Sequence, residues 1–426
     1  MGLSNSQRVV LKKSCDFVLR TEPLWPVPLY FLILFNSPYF WSGWIIALIP
    51  WPLRLMRKGY LLPRTLFDIP ILILVIGASI GLIFSNHREI SLQAWQSLLC
   101  AILLYYAIAD KDWSRDWKLW GAFWLVFGLL ISVFVLSNIS VETTPLTPFG
   151  TWVINMMPPL PRIFDFTPNV NVLAVMLGTF IPVLFSVSLF GIKGHRGVRI
   201  GAIVFTILFF ILLVVTNSRG GWIATGLAVV ILLFWRNKWS LLIVPTVTGL
   251  IVWAWQTGYD PFSLFQLNNL SSLGRIEIWR TTIQMLENYP LLGCGFGAYP
   301  LAFIPYAQSH FSYAVLNPHN AYLMLYADAG ILGAIAVVLA FVILVRNILK
   351  LSLTSKNDLA YVFSVGVIAG LVALGVHGLF EASSASIWAD SFGDYHYMVS
   401  FLPWFLAGNL AAVIKKLKTA NDGATQ

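Results

Sequence analysis

The sequence predicts an all-α, polytopic membrane protein with about twelve transmembrane helices. Hydrophobic residues make up 58% of the 426 positions and the mean hydropathy is +0.78. Charged side chains make up only 11%, whereas soluble domains carry about 25%. The 18 tryptophans fit a protein with many membrane interfaces, where amphipathic rings settle at headgroup level. This composition excludes a soluble globular protein.

Twelve segments are long and apolar enough to cross the hydrocarbon layer, which takes about 20 helical residues. They are residues 19–35, 39–56, 66–84, 90–109, 117–137, 168–190, 200–216, 220–235, 239–256, 318–345, 359–380 and 395–414. The prolines of the first segment and the break at 36–38 would also fit one tilted span followed by an interfacial helix. We expect residues 1–426 to form a single transmembrane domain.

The distribution of lysine and arginine predicts the orientation, because these residues stay on the cytoplasmic side of a membrane. With twelve spans, 22 of the 27 fall on one side, leaving Arg88, Arg162, Arg219, Arg275 and Arg280 on the other. We therefore expect a plasma (inner) membrane protein with both termini cytoplasmic. The basic residues are dispersed among apolar runs, so no nucleic-acid partner is predicted.

The predicted external side has two long connections, residues 138–167 and 257–317. The second is too long for a structureless link. Within it, Ser272–Asn288 has apolar residues at Ile276, Trp279, Ile283 and Leu286, near helical spacing. We therefore predict an amphipathic helix on the membrane surface, in an external loop that forms a subregion of the domain.

Three predicted helices begin on the external side with polar capping residues. The starts are Thr167-Pro168-Asn169, Asn317-Pro318-His319-Asn320 and Asn217-Ser218-Arg219. In the first two, a cap residue followed by proline is typical of the first helical position. Free backbone N–H groups and the helix dipole make such N-termini favourable places for an anion.

Arginines near these helix starts point to a phosphorylated ligand. A guanidinium matches phosphate oxygens in a bidentate fashion, so Arg219, Arg275 and Arg280 together would suit a diphosphate. The alternative is that they only contact lipid headgroups. Arg219 stands apart, because it adjoins apolar segments on both sides and an intramembrane charge is a functional hypothesis by default.

His319 is the candidate general base. A helix N-terminus disfavours the imidazolium form, so the ring should remain neutral and able to accept a proton. The alternative is an interfacial histidine that only makes hydrogen bonds. His377 and Glu381, one turn apart, are a second candidate pair or a structural helix pair, and Asp328 fits a hydrogen bond across helices or a proton relay. No metal site is predicted.

Three motifs in this order resemble the O-antigen ligase and polymerase superfamily of bacterial membrane glycosyltransferases. They are Asn217-Ser218-Arg219-Gly220-Gly221-Trp222, then Gly274-Arg275-Ile276-Glu277-Ile278-Trp279 leading into Tyr289-Pro290-Leu291-Leu292-Gly293-Cys294-Gly295, then Pro318-His319-Asn320 leading into Asp328-Ala329-Gly330-Ile331-Leu332-Gly333. The resemblance covers about residues 165–345.

The resemblance implies a fold of the membrane glycosyltransferase C type. It also implies transfer of a glycan from a polyprenyl-diphosphate carrier to a hydroxyl of a lipid or glycan acceptor on the external face, with inversion, no metal and no cofactor, as in lipopolysaccharide biosynthesis. Ligase and polymerase chemistry both fit. The implied catalytic residues are Arg219, Arg275 and His319, and the expected substrate-binding residues are Arg280, Asn320, Asn169 and Ser218.

Three stretches also resemble a cyanobacterial branch labelled as inorganic-carbon (bicarbonate) transporters: residues 217–222, residues 274–295 and His377-Gly378-Leu379-Phe380-Glu381. An anion transporter, or an accessory subunit of one, is therefore the second hypothesis. Transport ordinarily requires discontinuous helices and polar groups near the midplane, where Asp328 is nearly the only predicted charge. A noncatalytic protein that binds the lipid diphosphate is the third.

Overall fold

The long apolar runs of the sequence form long helices. The computed structural model describes residues 5–34, 37, 39–111, 170–243, 270–307, 315–351, 359–382, 386–391 and 394–424, with isolated positions within 126–133 and 245–256. The helices are α1 (Asn5–Thr21), α2 (Pro26–Leu34), α3 (Phe40–Leu48), α4 (Pro50–Lys58), α5 (Asp68–Phe84), α6 (Arg88–Ala109), α7 (Val170–Phe190), α8 (Arg196–Val215), α9 (Arg219–Arg236), α10 (Leu270–Glu287), α11 (Tyr299–Phe303), α12 (Ala321–Leu351), α13 (Leu359–His377) and α14 (Phe401–Ala424). Short 3-10 turns lie at Glu22–Leu24, Lys238–Leu242 and Ile304–Tyr306.

Six of the described helices are long and apolar enough to cross a membrane: α6, α7, α8, α9, α13 and the Ala321–Asn347 part of α12. Two shorter apolar helices, Asp68–Phe84 and Phe401–Lys415, accompany them. The protein is therefore a helical membrane protein. The predicted spans at 117–137 and 239–256 lie largely outside the described residues, so the total of twelve remains a prediction.

The first two predicted spans are not continuous helices. Segment 19–35 contains the end of α1, a 3-10 turn and the nine residues of α2, and segment 39–56 is divided between α3 and α4. A nine-residue helix is about 14 Å long, less than half of the hydrocarbon thickness. Prolines explain the divisions, because Pro23 and Pro50 each stand at the start of a new helical element, where proline is tolerated.

A two-stranded hairpin departs from the predicted all-α fold. Strand β1 (Ser386–Ser391) pairs antiparallel with β2 (Asp394–Val399), with Ser386 opposite Val399. The last predicted span, 395–414, therefore begins only at Phe401. Both strands contain aromatic and β-branched residues, which favour an extended backbone. The same residues are apolar, so they also resemble the start of a membrane span in the sequence.

Helices α7 and α13 pack against each other at the centre of the described bundle, and α8, α9 and α14 pack around them. Small residues allow these helices to approach closely. A Cβ on Gly366 of α13 would lie 2.9 Å from the Val183 Cα of α7, and one on Gly178 would lie 2.8 Å from the Thr225 hydroxyl of α9. Close contact through small residues is the usual packing of membrane helices.

Helix α12 is broken at Gly330, where φ is 60° and ψ is −152°. The segment 291–297 fills the break. The Ile331 N–H donates to the Leu291 carbonyl at 3.0 Å, the Cys294 N–H donates to the Ala327 carbonyl at 2.8 Å, and the Gly297 N–H donates to Asp328 Oδ1 at 3.0 Å. The chain itself thus satisfies polar groups that hydrocarbon would leave unpaired.

We predict that Gly330→Ala lowers the free energy of unfolding by at least about 2 kcal/mol, because a side chain at this positive φ is strained and its Cβ would overlap the Leu291 carbonyl. The matched control is Gly226→Ala in α9, where an added Cβ meets nothing within 4 Å. Thermal unfolding of the two purified variants is the measurement. Equal melting temperatures of the two variants would contradict the close packing of the segment 291–297 in the break at Gly330.

The directions of the helices define two ends of the bundle. Helices α7, α9 and α12 begin at the same end at which α13 finishes, because the Ala321 N–H donates to the Gly378 carbonyl and Asn171 contacts Ser218. We call this the site end. Helix α6 begins close to Ser85, which bonds to Ser91 and lies against Gly295. It finishes at Asp110, about 33 Å away along a helix of 22 residues.

A basal cluster of Glu22, Arg54, Lys58, Asp110 and Lys111 lies at the opposite end. The Arg54 guanidinium forms an ion pair with Glu22 and donates to the Leu61 carbonyl at 2.6 Å. Lys58 donates to Asp110 at 2.6 Å, and the Lys111 ammonium donates to the Leu19 carbonyl. Breaking a buried ion pair costs about 3–5 kcal/mol, so the cluster fastens the N-terminal elements to α6.

Lys111 makes stability depend on pH in the alkaline range. Burial lowers the pKa of Lys111 to about 8 from the ordinary 10.5, against the attraction of Glu22. Between these values the unfolded chain binds more protons, so stability rises with pH. We predict that Lys111→Met removes this rise while Lys193→Met, at an exposed position, keeps it. Melting temperatures of both variants, measured from pH 8 to 10.5, test this prediction. Parallel curves of melting temperature against pH for the two variants would contradict it.

Candidate functional site

The turn that precedes α12 carries His319. The predicted cap is Asn317, with Pro318 at the first helical position, but the helix begins three residues later, at Ala321. Asn320 is the capping residue, because its side-chain oxygen accepts the N–H groups of Tyr322 and Leu323, each at 3.0 Å. The prediction of the cap was wrong because two Asn residues flank the same proline and either can accept backbone N–H groups.

His319 lies outside the helix in the left-handed region, with φ of 47°. Such a conformation is uncommon for a residue other than glycine. Two hydrogen bonds hold it. The His319 N–H donates to Asn317 Oδ1 at 2.8 Å, and the Pro318 carbonyl accepts the indole N–H of Trp279 at 2.7 Å. The backbone at His319 is therefore fixed by contacts from both sides.

Glu381 is the partner of the His319 side chain. The His319 Nδ1 and Glu381 Oε2 atoms are 3.0 Å apart, with 26% of the histidine side chain exposed and 3% of the glutamate. The partner that the sequence suggests for Glu381 is His377. Helix α13 instead ends at His377, and the following turn carries Glu381 to His319. The buried His377 ring nitrogens have no hydrogen-bond partner among the described residues.

The Glu381 carboxyl is ionised at neutral pH. Burial alone would raise its pKa, but the hydrogen bond from His319 and the charges of His319, His377 and Arg275 together hold the pKa below the ordinary 4.5. An ionised carboxylate accepts the proton on Nδ1, so Nε2 of the neutral ring is left as the basic nitrogen.

A chain of polar side chains connects Glu381 to the start of α9. The Asn171 amide donates to Glu381 Oε2 at 3.1 Å, and the Ser218 hydroxyl donates to Asn171 Oδ1 at 2.7 Å. Ser218 also accepts the Gly221 N–H at 3.3 Å and caps α9, so that of the two residues that could form this cap, Asn217 and Ser218, the serine does. These two hydrogen bonds fix the position of the Ser218 hydroxyl.

The two glycines after Arg219 let other elements approach the N-terminus of α9. A Cβ on Gly220 would lie 3.2 Å from Phe380, and one on Gly221 would lie 2.8 Å from Ala174 of α7. Phe380 adjoins Glu381. Because Gly220 has no side chain, Phe380 can pack against the start of α9, and the Glu381 carboxylate lies near this helix start. The Arg-Gly-Gly sequence thus supplies a cation and a close-packed surface together.

Arg219 and Arg275 lie near Glu381. Arg219 is the first residue of α9, Arg275 is in α10, and both are half-buried. Burial lowers the pKa of Arg275; Glu381 raises it and Arg219 lowers it further. Arg275 therefore lies within electrostatic range of both Glu381 and Arg219. Within the described part of the chain, Arg275 forms no hydrogen bond or ion pair, so its guanidinium donors are available to an anion.

Helix α10 confirms that the second long connection contains a helix, but its buried face differs from the predicted one, and its place on the membrane surface remains a prediction. Ile276 and Ile283 are 50% and 53% exposed, whereas Ile278, Met285 and Leu286 are buried. Helix α10 packs on the segment 294–306, and this contact buries the face that carries Ile278 and Met285. The sequence periodicity did not distinguish this face from the exposed apolar face of the same helix. The exposed pair remains available for the bilayer surface.

The other predicted substrate-binding residues do not join this cluster. Arg280 is 63% exposed and pairs with Glu277 at 2.9 Å; it is about 140° around α10 from Arg275. Asn320 uses its side chain as the cap, and its amide donates to the Leu379 carbonyl at 3.2 Å. Asn169 lies outside the described residues. Asn171 and Trp279 contribute to the site without having been predicted to do so.

Glu381 makes stability depend on pH in the acid range. Because its folded pKa lies below 4.5, its stabilising contribution is complete above 4.5 and is lost as the pH falls through the folded value. We predict that Glu381→Gln flattens the acid side of a melting-temperature profile. Glu89→Gln, at an exposed position of the site end, should keep the wild-type slope, and a matching loss in both variants would count against the buried pair.

The comparison with known families agrees with the sequence resemblance. A family model described as O-antigen ligase matches residues 204–338. The matched segment is about a third of the chain and contains Arg219, Arg275 and His319, whereas Glu381 and Asn171 lie outside it. No curated protein matches the chain at a significant level. The match supports the O-antigen ligase superfamily and, in general terms, ligase-like glycan transfer by this membrane protein.

Proposed function

We propose that the protein transfers a glycan from a polyprenyl-diphosphate carrier to an acceptor hydroxyl at the external surface of the plasma membrane. The observation that carries this proposal is the cluster of Arg219, Arg275 and the His319–Glu381 pair at one end of the bundle. It combines two guanidinium groups with a histidine whose Nδ1 is bound by a carboxylate. An anion site beside a general base is what this reaction needs.

The cationic part of the cluster would hold the diphosphate. Arg219 stands at the N-terminus of α9, where the helix dipole also favours an anion. The half-buried Arg275 adds a guanidinium without an ion-pair partner among the described residues. Because negative charge grows on the leaving diphosphate as its bond to the sugar breaks, donors placed there stabilise the transition state more than the ground state.

His319 would act on the acceptor. Its Nε2 removes the hydroxyl proton while the acceptor oxygen forms a bond to the anomeric carbon, and the bond between that carbon and the phosphate oxygen breaks. The products are the new glycoside and the free polyprenyl diphosphate, and the proton on His319 then passes to solvent. Direct attack opposite to the leaving group inverts the anomeric carbon. Glu381 stabilises the imidazolium and fixes the tautomer, as a carboxylate does in catalytic triads.

Substitution of the proposed base and of one arginine tests this function. We expect His319→Ala to reduce transfer about 10²- to 10⁴-fold and Arg275→Ala to reduce it about 10²- to 10³-fold. Glycan transfer is measured in membranes that contain the full-length chain, labelled polyprenyl-linked donor and acceptor. Arg88→Ala is the control, since Arg88 is an exposed arginine of the same end. Full activity of either test variant would reject its assigned role.

Anion transport is the second candidate, and the break in α12 beside Asp328 is the feature that favours it. In transporters, broken helices leave backbone groups to coordinate the cargo. Here the segment 291–297 forms hydrogen bonds with Ala327, Asp328 and Ile331. These groups at the break are therefore already paired within the chain and do not face a cargo, which supports transfer over transport. We expect no labelled bicarbonate uptake into proteoliposomes above empty vesicles, and clear uptake would favour transport. Binding of the carrier without turnover would indicate a noncatalytic binding protein.

A further inference from the structure

Trp279 connects the two parts of the site. It belongs to α10, the helix of Arg275, and lies four residues after that arginine, so both residues share one side of the helix. Its indole N–H donates to the Pro318 carbonyl at 2.7 Å, across 39 positions of sequence. Pro318 is the residue immediately before His319. A single contact therefore joins the arginine helix to the histidine turn.

The contact acts on one particular peptide unit. The Pro318 carbonyl and the His319 N–H belong to the same planar group. Trp279 binds the carbonyl at 2.7 Å, and Asn317 Oδ1 binds the N–H at 2.8 Å. With both ends bound, this plane cannot rotate without breaking a hydrogen bond. Its orientation sets φ of His319, which is 47°, and hence the direction in which the side chain leaves the backbone.

Helix α10 is itself held firmly enough to serve as the support. The Thr282 hydroxyl and the Tyr299 hydroxyl are 2.7 Å apart, and Ile278 and Met285 are buried. These contacts hold Arg275 in place independently of the indole. Loss of the Trp279 donor should consequently disturb His319 more than it disturbs Arg275.

We infer that Trp279 is a positioning residue for His319, which aligns the base with the arginine site through the Pro318–His319 peptide unit. This inference rests on the proposed transfer reaction. Without the indole donor, the left-handed turn loses one of the contacts that hold it, and the imidazole is less often in line with the acceptor. Misplacement of a catalytic group by about 1 Å can cost about 100-fold in rate.

The test compares Trp279→Phe with Trp95→Phe in the full-length chain. Trp95 also donates its indole N–H, to the Ser79 hydroxyl at 3.0 Å, but it joins α5 to α6 away from His319. We expect Trp279→Phe to lower kcat about 10- to 100-fold with the donor KM changed less than about threefold. Trp95→Phe should leave both constants near the wild-type values. Asn317→Ala, at the other end of the same peptide unit, should reproduce the kcat loss.

A second measurement does not depend on turnover. In nuclear magnetic resonance spectra of the chain in lipid nanodiscs, the His319 Nδ1 proton bound by Glu381 should give a signal that disappears in His319→Ala. We expect Trp95→Phe to keep this signal and Trp279→Phe to weaken it. An unchanged signal together with an unchanged kcat would overturn the role of Trp279. Absence of transfer by the wild-type chain would instead count against the proposed reaction, while the spectra would still decide on the positioning.

Discussion

The Glu381 carboxylate is the group on which the arrangement of the site depends. Buried, ionised and bound to His319 and Asn171, it joins the end of α13 to the turn before α12 and to the start of α7. A buried charge is unfavourable unless opposite charges and hydrogen bonds surround it. The hydrogen bonds from His319 and Asn171 and the charge of nearby Arg275 meet this requirement, and Arg275 also belongs to the proposed anion site. The Glu381 carboxylate therefore both holds three elements together and orients the proposed base.

Much of the helical architecture followed from the sequence. Runs such as 66–84, 90–109 and 200–216 became helices within a few residues of their predicted bounds, because about 20 uninterrupted apolar residues have few alternatives to a membrane helix. The predictions were wrong where competing signals met. Proline divided the first two segments into helices of nine residues, and the aromatic, β-branched stretch before Phe401 formed a hairpin.

The candidate site was only partly accessible to sequence reasoning. The Ser218 cap could be predicted because capping uses a local pattern, and the sequence also singled out the two arginines that lie near Glu381. The partner of His319 could not, since Glu381 lies 62 positions away and helical periodicity pointed to His377 instead. Asn171 and Trp279 were missed for a similar reason: each acts through hydrogen bonds to groups far away in the sequence, and such contacts leave no periodic trace in the sequence.

The filled break of α12 has a consequence for biosynthesis. The segment 291–297 precedes α12 in the chain, so a ribosome releases it before the helix that it completes. When Gly330 enters the bilayer, the groups that bond to Ala327 and Ile331 have already been synthesised and can dock at once. Insertion of this interrupted helix can therefore proceed without an interval in which its exposed carbonyl and amide groups face lipid tails.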